Sequence, residues 1–563
     1  MTLRVLIVGG YGIFGGRIVE LLKDEPRLEL IVAGRSPERA KAFCAQLLAT
    51  ARLVPAEFDR NGDLPGYLAA LRPDLLIDAS GPFQAYGEGR YRVIEACIAA
   101  RVPYLDLADG AAFVEGVADL DTRARAARVF ALSGVSSFPV LTAAATRRLA
   151  TGLARVDAIR AGIAPSPYAI VGENVIRAIT GYAGQPTRLC RGGQSVTGYP
   201  FTEQMRFTIA PPGQVPVRNT LFSLVEVPDL RVLPPLWPEA RTIWMGAGPV
   251  PESLHRALIV LAWLVRWRLL PSLLPLAPLV HWVSNHVGWG EHRGGMFVEV
   301  KGVDVAGRPV IRSWHLLAEG DDGPLIPSMA VEAIVLRMLD GQRPAAGARA
   351  AVHDLELEDY DRLFVRRAIK TGLRDETAAR PLYRYVLGAR WDALPVAVRA
   401  LHDGVTHAEG RAQVERGTGW LSRLVGAVIG FPASGKDVAL RVDFARADDG
   451  ETWTRSFDGR SFSSRQFRGT GRWERLLCER FGPLTFAMAL VPEDGRMTFV
   501  LRGWTVFGIP MPMWLCPRSA SYEQGDDRFR FHVEISHPLT GLIVRYRGWL
   551  EPAPRLGGKP PDA

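Results

Sequence analysis

The chain is poor in cysteine and in lysine, and each scarcity excludes something. Its 563 residues include five cysteines, Cys44, Cys97, Cys190, Cys478 and Cys516, widely spaced and without a CxxC pair. An odd, scattered set builds neither a disulfide framework nor a zinc site, and it predicts buried thiols in a reducing compartment. The ten histidines show no HExxH spacing, so no metal is expected. Lysine occurs six times among 68 basic residues. The net charge of +9 therefore rests on arginine, spread among acids without a long basic run. Nucleic acid is not an expected partner on that pattern. The arginine bias and abundant alanine read as the coding style of a GC-rich bacterial genome.

Long apolar runs are missing too. The greasiest stretch, Leu258–Val280, is interrupted by Arg266, Arg268, Pro271, Pro275 and Pro278, whereas a membrane-spanning helix needs about twenty unbroken apolar residues. Burial, or a place in the wall of an apolar pocket, is the favoured expectation for 258–280, with peripheral membrane contact as the alternative. The first strand begins almost at the N-terminus, leaving no room for a signal or transit peptide. The expected location is cytoplasmic, with membrane-peripheral contact as its variant. At this length, with 48% apolar and 23% charged residues, a soluble multi-domain protein is expected. The oligomeric state is left open.

What is present begins with an apolar strand, Arg4–Val8, running into Gly9-Gly10-Tyr11-Gly12-Ile13-Phe14-Gly15. In this Gly-x-Gly-x-x-Gly pattern Gly10 is expected to allow the tight turn. Gly12 lets a pyrophosphate approach the backbone, and Gly15 lets the next helix lie close to the strand. The helix, about 13–23, would offer its free N–H groups to phosphate. A second strand, 28–34, ends at Ala33-Gly34-Arg35-Ser36. NAD sites usually place a carboxylate here for the ribose 2′-hydroxyl. The guanidinium of Arg35 and the hydroxyl of Ser36 instead suit a 2′-phosphate, which favours NADP while leaving NAD open.

Strands and helices alternate over the first 140 residues, predicting a Rossmann-type parallel sheet covered on both faces. Ligands of such sheets bind at the carboxyl ends of the strands, where Asp59, Ser80-Gly81-Pro82-Phe83 and Asp106 fall. Asp59 is a candidate for the adenine side, and the Ser80–Phe83 turn for the pyrophosphate and nicotinamide ribose; a plain turn-forming role is as good for each. An α+β companion domain with an antiparallel sheet is expected over 141–374. It contains a hairpin, 296–304 and 309–318, and a helix, 327–339, that returns toward the nucleotide domain. A mostly antiparallel β domain, a curved sheet or open barrel around helices, is expected over 381–553. Its predicted helices are 382–387, 394–402 and 410–429, and its hairpin turns are Asp448-Asp449-Gly450 and Glu493-Asp494-Gly495. The tail from Glu551 is expected to be disordered. Gly430–Asp437 nearly fits the phosphate-binding G-x-x-x-x-G-K-[ST] loop. Asp437 replaces the Mg²⁺-binding hydroxyl, and a strand follows where a helix is needed, so ATPase chemistry is discarded.

Gly9–Gly15, Ala33–Ser36, Ser80-Gly81-Pro82-Phe83 with Tyr86-Gly87, Val93–Cys97 and Tyr104-Leu105-Asp106 together resemble the saccharopine dehydrogenase-like NADP-binding family. In that family a Gly-Pro-Phe turn follows the fourth strand, a helix carries Glu-Ala-Cys, and a strand carries Tyr-Leu-Asp. The C-terminal part resembles an uncharacterised domain often fused behind such proteins. The resemblance implies an NADP(H)-dependent oxidoreductase acting on a small molecule. The companion domain is unusually apolar around Trp263, Trp267 and Trp282, which points to an apolar or lipid-like substrate instead of saccharopine. Tyr104, Asp106, Asp109 and His315 are the candidate proton donors, each with a structural role as the competing explanation. The alternative from another class is a non-catalytic NADP-binding protein whose C-terminal domain binds a lipid or a partner.

Overall fold

The computed structural model describes residues 2–249, 251–377, 381–447, 450–525 and 527–553. The expected turn at Asp448-Asp449 and the expected disorder beyond residue 553 lie outside them. By contacts the chain forms two compact units, 1–207 with 220–371, and 208–219 with 372–563.

The first unit opens with alternating elements: β1 (Leu3–Val8), α1 (Ile13–Leu22), β2 (Leu28–Gly34), α2 (Pro37–Ala45), β3 (Arg52–Glu57), α3 (Leu64–Leu71), β4 (Leu75–Asp78), α4 (Arg92–Ala100), β5 (Tyr104–Asp106), α5 (Ala111–Gly116), α6 (Asp121–Ala127), β6 (Phe130–Ser133) and α7 (Thr142–Ala150). Val5, Leu6, Ile7, Leu30, Ile31 and Val32 are fully buried, as strands with helices on both faces must be. The parallel order is β6-β5-β4-β1-β2-β3, so it reverses between β1 and β4, where a crevice opens at the strand ends. Helix α3 was not anticipated, although Asp63 caps it by accepting from the Gly66 N–H and Pro65 sits in its first turn, a familiar start signal.

The companion region follows: β7 (Leu153–Ala164), α8 (Glu173–Tyr182), β8 (Thr187–Arg191), β9 (Gln194–Gly198), β10 (Gln204–Phe207), β11 (Thr220–Leu224), α9 (Asp229–Val232), β12 (Thr242–Ala247), α10 (Glu252–Arg266), α11 (Ala277–His286), β13 (Arg293–Asp304), β14 (Pro309–Glu319), α12 (Ile326–Leu339), β15 (Gly347–Ala350), α13 (Leu357–Phe364) and β16 (Ile369–Asp375). Its sheet runs β10-β11-β12-β7-β13-β14-β16. It is mixed: β12 lies parallel to β7, while β13 is antiparallel to β7 and β14. Helix α12 packs on α1, and β15 pairs in parallel with β6 as the seventh strand of the nucleotide sheet. The segment 258–280 meets the favoured expectation only in part: it joins a buried cluster and Leu274 lines a cavity, while other side chains face outward. Ala262, Val265, Leu273 and Ala277 are buried, but Val260, Trp267, Leu269, Leu274, Leu279 and Trp282 are exposed, Leu269 to 67%. No helix among the described residues is long and apolar enough to cross a membrane.

The second unit contains α14 (Leu382–Leu387), α15 (Val396–His402), β17 (His407–Arg416), α16 (Trp420–Ile429), β18 (Gly435–Ala447), β19 (Gly450–Phe457), β20 (Arg460–Arg468), β21 (Leu477–Phe481), β22 (Leu484–Glu493), β23 (Arg496–Val506), β24 (Ile509–Pro510), β25 (Arg518–Gln524), β26 (Phe529–His537) and β27 (Gly541–Pro552). All but β24 form a ring, because β22 also pairs with β23, and the sheet closes into an antiparallel barrel. Residues 410–416, expected to be helical, form a strand between β18 and β27. Ala412 and Val414 are buried, whereas Arg411 is exposed; the alternation has the strand period, and ladder pairing overrides the helix-favouring composition. Residues 551 and 552, expected in the tail, end β27. Asp437 follows the chain into β18 and is bonded by Arg411. Residues 208–219 belong to this unit: Thr208 Oγ1 and Asn219 Nδ2 both donate to the Glu474 carboxylate, at 2.7 and 3.3 Å.

Gly410 has no room for a side chain, since a Cβ would stand 1.9 Å from the Trp549 carbonyl oxygen. Gly410→Val is expected to loosen the β17–β27 seam and lower the stability of the second unit by about 1–3 kcal/mol. Urea unfolding followed by domain-resolved hydrogen exchange checks this, with the exchange of β1–β6 unchanged.

Candidate functional site

The strand–turn–helix at the N-terminus is built by backbone approach. Gly9, not Gly10, takes the left-handed conformation, with φ of +75°. Its N–H and that of Gly10 both donate to the Ala33 carbonyl, at 2.8 and 3.0 Å. Gly10 is needed for space: a Cβ there would lie 2.8 Å from the Ile7 oxygen and 2.9 Å from Val32. At Gly15 a Cβ would stand 2.1 Å from the Gly9 oxygen. Gly12 and Ile13 are exposed, no acidic side chain occupies the first turn of α1, and the turn is open to a ligand. The glycines therefore fit a pyrophosphate.

Beyond β2, Tyr11 lies across Gly34, where a Cβ would stand 2.5 Å from its hydroxyl, and that hydroxyl accepts from the Ser36 N–H at 3.0 Å. Arg39, overlooked in the sequence, stacks its guanidinium 5.1 Å from the Tyr11 ring centre. The hydroxyl of Ser36 is committed: it caps α2 by accepting from the Arg39 N–H and donates to Glu38 at 2.9 Å. Arg35 is exposed. Two guanidiniums thus flank the end of β2. Asp59 makes a turn, its carboxylate accepting from the Asn61 N–H at 3.0 Å.

At the end of β4 stands a buried carboxylate that sequence reasoning missed, Asp78. Its Oδ1 accepts from the Ser80 N–H at 2.9 Å and the Ser80 hydroxyl at 2.5 Å. The Tyr104 hydroxyl reaches Oδ2 at 3.5 Å, and Tyr86 meets the Ser80 hydroxyl at 2.8 Å. Burial pushes Asp78 upward against these bonds. The Arg60 guanidinium lies 3.3 Å from the Tyr86 ring centre. The only hint in the sequence was an acid two residues before a serine at a strand end. The network holds the Ser80–Phe83 turn in place; Phe83 is buried against Tyr86 and Phe113, and the Gly81 carbonyl accepts from Asn174 at 3.2 Å.

The four candidate proton donors separate. Tyr104 is buried behind Asp78. Asp106 is fully buried, its Oδ1 accepting from Ala108 N–H, Ser133 Oγ and Gly134 N–H at 3.0, 2.9 and 2.8 Å. Burial raises its carboxyl to about 7 against the pull of those donors. His315 is buried in the companion sheet, bonded to Ser313 at 2.8 Å and stacked on Phe207. Only Asp109 reaches a cleft. It accepts from Gln84 at 2.9 Å and, with the Pro82–Gln84 turn, Tyr182, Arg177 and Glu226, borders a cavity of about 540 Å³. A second cavity of about 180 Å³ lies between Phe14 and Arg17 of α1 and the apolar residues Ile163, Met296, Leu316 and Ile326. Among the described residues no three His, Cys, Asp or Glu side chains converge as a metal site would require.

Asp106 binds its proton more tightly folded than unfolded, so its contribution is present below about pH 4 and is lost as pH rises to about 7. Asp106→Asn keeps the acceptor and is expected to flatten that fall, as seen by melting temperature between pH 4 and 8. Asp106→Ala strands three donors and is expected to cost about 3 kcal/mol throughout.

Residues 5–132 match the family model described as the saccharopine dehydrogenase NADP binding domain, and residues 394–550 match a domain of unknown function, DUF4166. No curated protein matches the chain. Among solved structures, saccharopine dehydrogenase (L-Glu forming) from Saccharomyces cerevisiae is similar over 66% of this chain and 99% of its own, at 12% identity and a TM-score of 0.47. A myo-inositol dehydrogenase from Corynebacterium glutamicum is similar over 61% and 90%, at 12% identity and 0.30. A 3-ketoreductase from Actinomadura kijaniata, solved with NADP, is similar over 61% and 92%, at 13% identity and 0.27. The chain therefore carries a domain of the saccharopine dehydrogenase NADP-binding type over residues 5–132 and a DUF4166 domain over residues 394–550.

Proposed function

We propose that the protein is an NADP(H)-dependent oxidoreductase that works in the cytoplasm of a bacterium on a small, largely apolar molecule. One observation carries this: the open glycine turn, the two guanidiniums after β2 and the 540 Å³ cavity beside the Ser80–Phe83 turn lie along one line of strand ends. The cofactor would rest its pyrophosphate on Gly9–Gly15 and its 2′-phosphate near Arg35 and Arg39, and the chemistry it supplies when bound is hydride transfer. Ser80, fixed by Asp78 and Tyr86, anchors the turn whose Pro82, Phe83 and Gln84 line the cleft. Asp109 is the favoured residue to hold or pass a proton there, because it alone of the four candidates borders the cavity. Tyr182 is the second choice, in the facing wall. The apolar residues around the smaller cavity support an apolar substrate. Free thiols at all five cysteines suit a reducing compartment.

The burial of Tyr104, Asp106 and His315 favours the second reading, an NADP-binding protein without catalysis. The two are separated by an Asp109→Asn variant: loss of NADPH oxidation on an apolar carbonyl or enoyl panel with unchanged NADPH affinity supports the enzyme, whereas no oxidation by the native chain on any substrate supports the binder. For the cofactor, Arg35→Asp is expected to weaken NADPH binding about 10- to 100-fold, the value of a lost charge-assisted contact, with NADH little changed in fluorescence titration.

The exposed side chains Val260, Trp267, Leu269, Leu279 and Trp282 also support peripheral contact of 258–280 with a membrane, since tryptophan favours the lipid–water boundary. Flotation with anionic vesicles is expected to carry the native chain and to lose it in a Trp267→Ala/Trp282→Ala variant; a native chain left in the dense fractions removes this part of the proposal.

A further inference from the structure

The barrel of the second unit is not filled. One end is sealed by α14 and α15, whose Leu387, Val398 and Leu401 are buried with Val442 and Phe444 of β18 in one continuous apolar core. Beyond this core the strands leave a partly open cavity of about 120 Å³. Phe481, Phe499, Leu501, Val533 and Ile535 line it, yet they are only partly buried and close the edge of the core. A closed barrel of this size either packs its interior with its own side chains or holds a ligand. Here packing stops short, and the space is near that of an engineered apolar cavity that takes up benzene.

The polar groups on this cavity are pinned from behind. Arg455 donates to Ser464 at 2.8 Å and to Glu479 at 3.1 Å. Glu479 also accepts from Ser464 at 2.6 Å and from Gln466 at 3.3 Å, and the Tyr383 hydroxyl fixes Gln466 at 2.8 Å. Across the cavity Glu523 is held by the fully buried His402 at 2.6 Å, and Ser519 and Ser521 bond each other at 2.7 Å. Burying ion pairs costs desolvation, and apolar residues of the same volume would fill a barrel at least as stably. Glu479, Glu523, Arg455 and His532 border the space. The guanidinium is committed to Ser464 and Glu479, and burial pulls His532 below its ordinary pKa, toward the neutral form. An anionic head group is therefore disfavoured beside the two carboxylates, while a hydroxyl finds both donors and acceptors.

We propose that the barrel lumen is a binding site for a small neutral amphipathic molecule, a short apolar body carrying a hydroxyl-type polar end. The site owes nothing to the nucleotide-binding turn, and its test needs no NADPH, so either can fail alone. Hexan-1-ol and hexanoate are the probes, titrated by calorimetry into the full chain at pH 7. Saturable binding of hexan-1-ol, at least tenfold weaker binding of hexanoate, and loss of hexan-1-ol binding in Leu501→Trp are expected. Val533→Phe, which fills the same space from another strand, serves where Leu501→Trp does not fold by circular dichroism. No heat from hexan-1-ol at millimolar concentration, hexanoate binding as tightly as the alcohol, or undiminished binding in a folded lumen-filling variant overturns the proposal.

Discussion

The contact on which the nucleotide-binding region depends is the approach of α1 to the turn that precedes it, where the backbone of Gly15 lies against the carbonyl of Gly9 with no space for a methyl group. That approach sets the direction of the helix, hence where its first N–H groups point, and so places the anion-binding end over the reversal in strand order. Gly10 and Gly34 extend the same logic, one clearing Val32 and the other receiving the ring of Tyr11. The missing side chain at Gly34 thus seats Tyr11, whose ring in turn carries the Arg39 guanidinium.

Behind this turn the strand ends are organised by two interior carboxylates. Asp78 takes the N–H and hydroxyl of Ser80 in the loop leaving its own strand, while Asp106 joins the loops after β5 and β6 through the Ala108 and Gly134 N–H groups. A carboxylate serving backbone N–H groups is a stiff junction, because moving either loop leaves a buried donor without a partner. The loops that border the large cavity are thus anchored at their roots and joined at the cavity by the Gln84–Asp109 hydrogen bond.

Much of the N-terminal half was legible because its signals are local. The glycine spacing and the apolar strands act within a few residues. What stayed hidden depended on partners distant in sequence. Asp78 looks like an ordinary strand residue until Ser80, Tyr86 and Tyr104 surround it. Ser36 looked like a phosphate ligand because the sequence does not show that its hydroxyl is spent on the helix cap. The strand at 410–416 carries helix-favouring residues, and only its two neighbours in the ring reveal its period. The same holds for the tryptophans of 258–280: hydropathy gave their greasiness, not the side of the molecule they occupy.

The strand β15 has a consequence for how the protein comes into being. The parallel sheet begins at Leu3, yet its outermost strand beside β6 arrives only with Gly347–Ala350. On the ribosome the first six strands therefore emerge long before the last, and β6 keeps an unsatisfied edge while some two hundred further residues are made. An open edge of apolar strand is a template for intermolecular pairing. Synthesis of the companion region is thus an interval during which the nascent chain is exposed to misassembly, and a fragment ending near residue 140 would be left permanently in that state.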